Sequence, residues 1–146
     1  MTKKAETVFS IKSLKLLPVG MPILHPQTKE PLTVNGKEVK LYLVNNESKE
    51  YQFAWGQVQA NLKKIFNDTN QEPTLDQRQE AIYGVLVNLV VGWNEEAALC
   101  FKDELGEDSA YSKANAEKLL NQPGYFWILK QVDEFIADKT RFFTKQ

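Results

Sequence analysis

The stretch LTVNGKEVKLYL, residues 32–43, decides how the first third of the chain folds. Asn35 and Gly36 separate two short apolar runs, and the second run, residues 39–43, alternates apolar with polar side chains. A type I′ turn needs positive φ at both of its central residues, and Asn-Gly is the pair that adopts it at least cost. The stretch therefore predicts a β-hairpin.

The residues before this hairpin cannot be helical. Pro22, Pro26 and Pro31 each lack a backbone donor and disfavour the α region in the residue before them. We predict a small antiparallel sheet over about residues 22–44. The apolar residues of segment 1–20 follow neither the period of a strand nor that of a helix. This segment is expected to be either an edge strand or an N-terminal extension that orders against a partner.

The pattern then changes to the period of a helix, in which apolar residues recur three or four positions apart. Ser48 is the predicted N-cap of the first helix, and the polar residues 67–72 end it. The predicted buried face of this helix consists of Tyr51, Ala54, Trp55, Val58, Leu62, Ile65 and Phe66.

A second helix is predicted to begin with a capping box, in which Thr74 pairs with Gln77 three residues later. It is apolar on more than one side around residues 85–91, so it is expected to be the central helix. Its predicted buried face consists of Leu75, Ile82, Val85, Leu86, Leu89, Val90 and Trp93.

The sequence from residue 94 onward predicts three further segments. Residues 94–110 indicate a helix end, a short extended piece and an acidic loop, and Ser112 is expected to cap a short helix. Pro123 and Gly124 break the chain before a last amphipathic helix. The apolar residues of that helix are Tyr125, Phe126, Leu129, Val132, Phe135, Ile136 and Phe143.

These elements predict the α+β class, with a small N-terminal antiparallel β-hairpin or sheet followed by about four helices. We expect one globular domain over residues 21–146, made of a hairpin region at 21–45 and a helical region at 48–146. The 146 residues suit a single domain, and the hydrophobic fraction of 42% is that of a folded protein.

The net charge of -1 excludes a global electrostatic attraction for nucleic acid or an anionic membrane. The longest apolar segment, residues 81–91, is too short to span a bilayer. A cytoplasmic location is therefore expected.

Catalytic chemistry is hard to place in this sequence. His25 is the only histidine and lies at a predicted turn, while Cys100 has apolar and acidic neighbours and is expected to be a buried small side chain. Residues 103–108 lack the ligand register of an EF-hand loop. Glu95 and Glu96 are the one carboxylate pair worth inspecting. We expect no enzyme activity, no catalytic residue, no metal and no cofactor.

The remaining signal is aromatic surface near the C-terminus. Tyr125, Phe126 and Trp127 are consecutive, and Phe142 and Phe143 follow later. Adjacent helical positions diverge by about 100°, so one face cannot hold all of them. Either all five belong to the core or they form a protein-binding patch, for which aromatic side chains are typical anchors. They are the candidate partner-binding residues.

Several short motifs follow one another in a recognisable order over residues 22–143. They are PILHPQTKEPL (22–32), NESKEY (46–51), VGWNE (91–95), YSKANAEKLL (111–120), WI (127–128) and QVDEFIAD (131–138). In this order and spacing the sequence resembles the small tail assembly chaperones of long-tailed bacteriophages. It departs from them after the tryptophan of VGWNE, where AALCF (97–101) interrupts the usual polar-rich loop.

The resemblance implies a non-catalytic chaperone that binds and solubilises the phage tape measure protein in the host cytoplasm while the tail is assembled. It names the tail tube protein as a further candidate partner and leaves a homo-oligomer and a frameshifted longer form open. The alternative is a structural phage component, such as a minor tail or head–tail connector protein, that is retained in the virion.

Overall fold

The computed structural model describes residues 18–45 and 47–138, and its elements confirm the α+β class. Four short strands precede the first helix, and a fifth strand follows the second helix. The elements are β1 (Val19–Pro22), β2 (Thr33–Val34), β3 (Lys37–Glu38), β4 (Lys40–Leu43), α1 (Lys49–Thr69), α2 (Leu75–Leu89), β5 (Val90–Trp93), α3 (Glu95–Cys100), α4 (Lys102–Leu105), α5 (Lys113–Leu120), a 3-10 turn (Pro123–Tyr125) and α6 (Phe126–Ile136). The predicted segment 1–20 falls within the described residues only from residue 18, and Phe142 and Phe143 lie outside them.

The predicted hairpin is present at the predicted turn. Strands β2 and β3 pair antiparallel, with Val34 opposite Lys37. Asn35 and Gly36 between them have φ angles of 53° and 79°, the left-handed values that a type I′ turn requires.

A three-stranded antiparallel sheet, in the order β1-β4-β5, contains a strand that the sequence pattern assigned to a helix. Residues 90 and 93 were expected on the buried face of α2, but α2 ends at Leu89 and residues 90–93 pair with β4. The prediction was wrong because a short run that is apolar on every side fits a buried strand as well as a buried helix. Two β-branched valines and Gly92 favour the strand.

The outer face of this sheet holds an aromatic ring over two glycines. A Cβ placed on Gly20 would lie 3.2 Å from the Tyr42 ring, and one on Gly92 would lie 3.3 Å from it. Gly20 and Gly92 both lie opposite Tyr42, on the strands to either side of it. The ring therefore covers backbone that would otherwise be bare, and any side chain at either glycine would have to displace it.

The residues that follow β5 tie the helices to the sheet. Trp93 donates its indole N–H to the carbonyl of Ser109 at 3.1 Å and meets the rings of Phe101 and Tyr111 edge-on. Asn94 accepts from the backbone N–H of Lys40 at 3.2 Å and donates to the carbonyl of Glu38 at 2.8 Å. Its oxygen also accepts from Ala97 at the first turn of α3.

A side-chain amide attaches α6 to the chain segment beyond β1. The Gln131 oxygen accepts from the N–H of Leu24 at 2.9 Å, and its nitrogen donates to the carbonyl of Leu24 at 2.8 Å. Both backbone groups are partly buried, so the side chain takes the place of a neighbouring strand at this residue.

The predicted helix starts are confirmed, and the helix count is not. Ser48, Thr74 and Ser112 each accept a hydrogen bond from the backbone of the first turn, and the capping box of Thr74 with Gln77 is complete. Among the described residues there are six α-helices where about four were expected. The additional ones are α3 and α4, over residues predicted to be extended or looped.

We expect Gln131→Leu to lower the free energy of unfolding by about 2 kcal/mol, because it leaves the N–H and C=O of Leu24 without their partner. Gln131→Glu keeps the acceptor and loses the donor, so about half of that loss is expected. Urea denaturation followed by circular dichroism measures both, with an unchanged m-value as the control. A leucine variant as stable as the parent would contradict this account of how α6 is held.

Candidate partner-binding surface

Helices α1 and α2 form a hairpin that is only partly anchored to the rest of the molecule. They are joined by residues 70–74 and α1 packs mainly against α2, whereas α2 also contacts α5, α6 and β5. A small separate cluster of Ala54, Val58 and Val85 holds the two helices together. We call residues 49–84 the arm and the other described residues the body.

The arm exposes large apolar side chains on more than one side: Phe53, about 160° around α1 from Trp55, is 62% exposed. Four others are exposed contrary to the predicted burial. Trp55 and Phe66 of α1 are 37% and 41% exposed, and Leu75 and Ile82 of α2 are 85% and 41% exposed. These four residues, which we call the arm face, were all expected in the core. The prediction was wrong because an apolar stripe indicates which side is shielded only where another element lies against it.

The two exposed residues of each helix face one direction. At about 100° per residue, residues seven or eleven positions apart lie within about 20° of each other, which places Phe66 near the direction of Trp55 and Ile82 near that of Leu75. A groove of about 420 Å³ lies between the helices and is lined by residues of both, including Asn61, Leu62, Gln77 and Gly84. Each helix therefore presents one pair of exposed apolar side chains outside this lining.

Most charged residues of the arm point away from these four residues. On α1, Lys64 lies about 180° around the helix from Trp55 and Asp68 about 140°, whereas Lys63 lies about 60° from Phe66. On α2 the one charged side chain near the arm face is Arg78, which pairs with Glu72 at 3.4 Å. Depletion of charge within an apolar patch is typical of the centre of a protein–protein interface.

The summed exposed area of the arm face is about that of the largest apolar patch on an ordinary monomeric protein. With full areas of roughly 150–250 Å² for such side chains, the four exposures sum to roughly 400 Å². The largest apolar patch on a monomeric protein is about 300–600 Å² and often serves binding.

One of the five candidate partner-binding residues, Phe126, contacts the arm. The ring of Phe126 packs 4.3 Å from that of Tyr83, the residue after Ile82, so the start of α6 meets the arm there. Tyr125, Phe126 and Trp127 are half-buried and pack against the main core. Of the five candidates, these three are brought together, and Phe142 and Phe143 lie outside the described residues.

Tyr125 also contacts the acidic segment. Its hydroxyl donates to the Glu104 carboxylate at 2.9 Å, and this hydrogen bond raises the pKa of Tyr125. The segment itself contains α4, whose Leu105 is buried.

The side chains of His25 and Cys100 were the other groups considered for catalysis. Nδ1 of His25 accepts from the backbone N–H groups of Gln27 and Thr28, so this histidine stabilises its turn. Cys100 is exposed, not buried as predicted, because it ends the short helix α3 on its outer side. Partial burial still raises the pKa of the Cys100 thiol, which disfavours the nucleophilic thiolate.

Two further properties concern the described residues as a whole. Within residues 18–45 and 47–138, no group of three or more His, Cys, Asp and Glu side chains is placed to hold a metal ion. In the same part of the chain no helix has both the length and the apolar character needed to cross a membrane.

Comparison of the chain with protein-family models, curated proteins and solved structures gave no match.

The exposure of one residue of the arm face could have been predicted from the sequence. Leu75 directly follows the N-cap of α2 and the polar residues 67–72, so it must lie at the tip of the hairpin, far from any core. No comparable sign separates Phe66 or Ile82 from residues that are buried at the same spacing.

We expect Trp127→Ala to lower the free energy of unfolding by about 2 kcal/mol, less than the roughly 3–5 kcal/mol of a fully buried aromatic residue. The reason is that its ring is half-buried against the core. Thermal and urea denaturation measure the change. An unchanged stability would contradict the packing role and favour Trp127 as a side chain kept for a partner.

Proposed function

We propose that this chain is a bacteriophage tail assembly chaperone, which binds the tape measure protein and keeps it soluble while the tail is built. The activity is binding and not catalysis, it takes place in the host cytoplasm, and the tail tube protein is a second expected partner. We refer to the tape measure protein as the client.

The observation that carries this proposal is the arm face. An amphipathic helix commonly binds by laying its apolar side along a groove or platform formed by other helices. Trp55 and Phe66 on one helix, with Leu75 and Ile82 on the other, offer such a platform about 16 Å long. A long helical client presents many apolar surfaces of this kind.

The motifs that resemble tail assembly chaperones support the proposal in a different way. Trp93 and Asn94 of VGWNE connect the sheet to the helices, and Gln131 of QVDEFIAD attaches α6 to Leu24. These residues build the body. The resemblance thus concerns the scaffold, and the binding surface is a separate feature carried by the arm.

The size of the arm face favours a transient complex over a permanent one. A stable ring or connector interface buries at least about 1,200 Å² in total, with a well-packed apolar centre. An exposed apolar patch of roughly 400 Å² suits a chaperone that binds many similar helical sites weakly and is later displaced.

Replacement of Leu75 and Ile82 by lysine is expected to weaken client binding at least about 10-fold, because two charges would be desolvated against an apolar helix. The measurement is co-purification of the full chain with a co-expressed tape measure fragment, followed by titration of the purified components.

The matched control replaces Ala60 and Asn67 by lysine. These residues are exposed and seven positions apart on α1, about 120–140° around the helix from Trp55. The control adds the same two charges on the other side of α1 and should leave client binding unchanged. Equal losses in both double variants would show that charge alone matters and would contradict a role of the arm face. Recovery of the chain from purified virions would favour a structural component instead.

A further inference from the structure

Helix α1 is covered over only a small part of its surface. The structure describes all of its residues, 49–69, and of these only Ala54 and Val58 are buried. Tyr51, in the first turn, packs against both the main core and the small cluster of the arm. Most of the stability of a helix in a protein comes from the packing of one face, so α1 depends on its contact with α2.

The contact between α1 and α2 is held by apolar packing alone. Within residues 18–45 and 47–138, no hydrogen bond, ion pair or ring contact joins the two helices. The buried part of the contact consists of Ala54, Val58 and Val85, and the groove of about 420 Å³ lies beside it. Small side chains next to an open groove bury little apolar surface, and apolar burial is what stabilises such a contact. The free energy that keeps α1 on α2 is therefore small.

Helix α2 is anchored to the body at several points. Its last residue, Leu89, accepts a hydrogen bond from the backbone N–H of Val44 at 3.0 Å. Three of its buried residues belong to the main core, and the ring of Tyr83 packs 4.3 Å from that of Phe126. The C-terminal half of α2 can therefore keep its place when α1 does not.

The sequence of α1 also contains a residue that lowers its helical stability. Gly56 lies in the interior of the helix and is exposed, and a Cβ placed on it would have no neighbour within 4 Å. Packing therefore does not require a glycine at this position. Glycine inside a helix is less stable than alanine because it loses more backbone entropy on folding. Gly56 thus makes the unfolding of α1 easier.

We propose that α1 unfolds from α2 as one unit in the native protein while the body stays folded. This opening uncovers Val85, which is 3% exposed when α1 is in place. Its consequence rests on the proposed function: a client bound to Trp55 and Phe66 requires a folded α1, so client binding suppresses the opening by mass action. The arm then opens in the free chain and is held closed in the complex.

Thiol labelling of the full chain tests the opening without a client. The reporters are Val85→Cys, at the contact with α1, and Val132→Cys, in the main core at 0% exposure. Both chains also carry Cys100→Ser, because the native thiol is exposed. We expect dithionitrobenzoate to label the Val85→Cys chain at least about 100-fold faster than the Val132→Cys chain. Its rate should also depend less on urea at low concentration, because a local opening exposes less surface than global unfolding.

Gly56→Ala, added to the Val85→Cys chain, tests whether α1 is the element that unfolds. Alanine should slow the labelling about 2- to 5-fold, because it stabilises the helix that has to unfold. Amide hydrogen exchange of the unmodified chain is the second measurement if a cysteine variant fails to fold. Amides of residues 54–66 should then be protected at least about 100-fold less than those of β4.

Two results of the labelling would overturn the proposal. One is an equal rate for both thiols with the same urea dependence, because global unfolding would then be the only opening. The other is a rate that Gly56→Ala leaves unchanged, because α1 would then stay helical. Failure of the proposed function is separable: a chain that opens as described and captures no tape measure fragment keeps the opening and loses the chaperone role. A chain that captures the fragment and shows no local opening does the reverse.

Discussion

The pairing of β5 with β4 is the interaction on which the rest of the structure depends. It places Leu41 opposite Trp93, and Val44 donates to the carbonyl of Leu89 at 3.0 Å, so the end of α2 is fixed to the sheet. Trp93 and Asn94 then connect this strand to the segments on either side. Because α2 is held at its C-terminal end, its N-terminal half and the α1 helix packed against it take a defined direction away from the body.

This division separates the packed core from the exposed apolar side chains. The body buries its apolar residues in one large cluster that includes Leu41, Leu89 and Leu129. The arm has a small cluster of Ala54 and Val58, which pack with Val85 at the border of the body, and four of its large apolar side chains, Trp55, Phe66, Leu75 and Ile82, keep 37% or more of their surface exposed. Side chains in the arm can therefore meet a partner without first leaving a packed core, and this makes the arm the suitable place for a transient apolar contact.

The sequence predicted well those features that depend on a few neighbouring residues. The Asn35-Gly36 turn and the caps at Ser48 and Thr74 are local, so their chemistry is complete in the sequence. Strand β5 was missed because its pairing with β4 joins residues some fifty positions apart. The arm face was missed for a related reason: which apolar residues are covered depends on how far the body extends along α2. Both errors concern tertiary contacts, which local patterns do not contain.

Hydrogen–deuterium exchange of the complex with a tape measure fragment tests most directly whether the arm, and not the body, is the binding element. If the arm is the binding element, the fragment slows exchange in residues 55–66 and 75–82, while exchange in β4 and in the C-terminal half of α6 stays as it was in the free chain. Slowed exchange confined to the body, with the arm unaffected in a complex shown to be saturated, would contradict it.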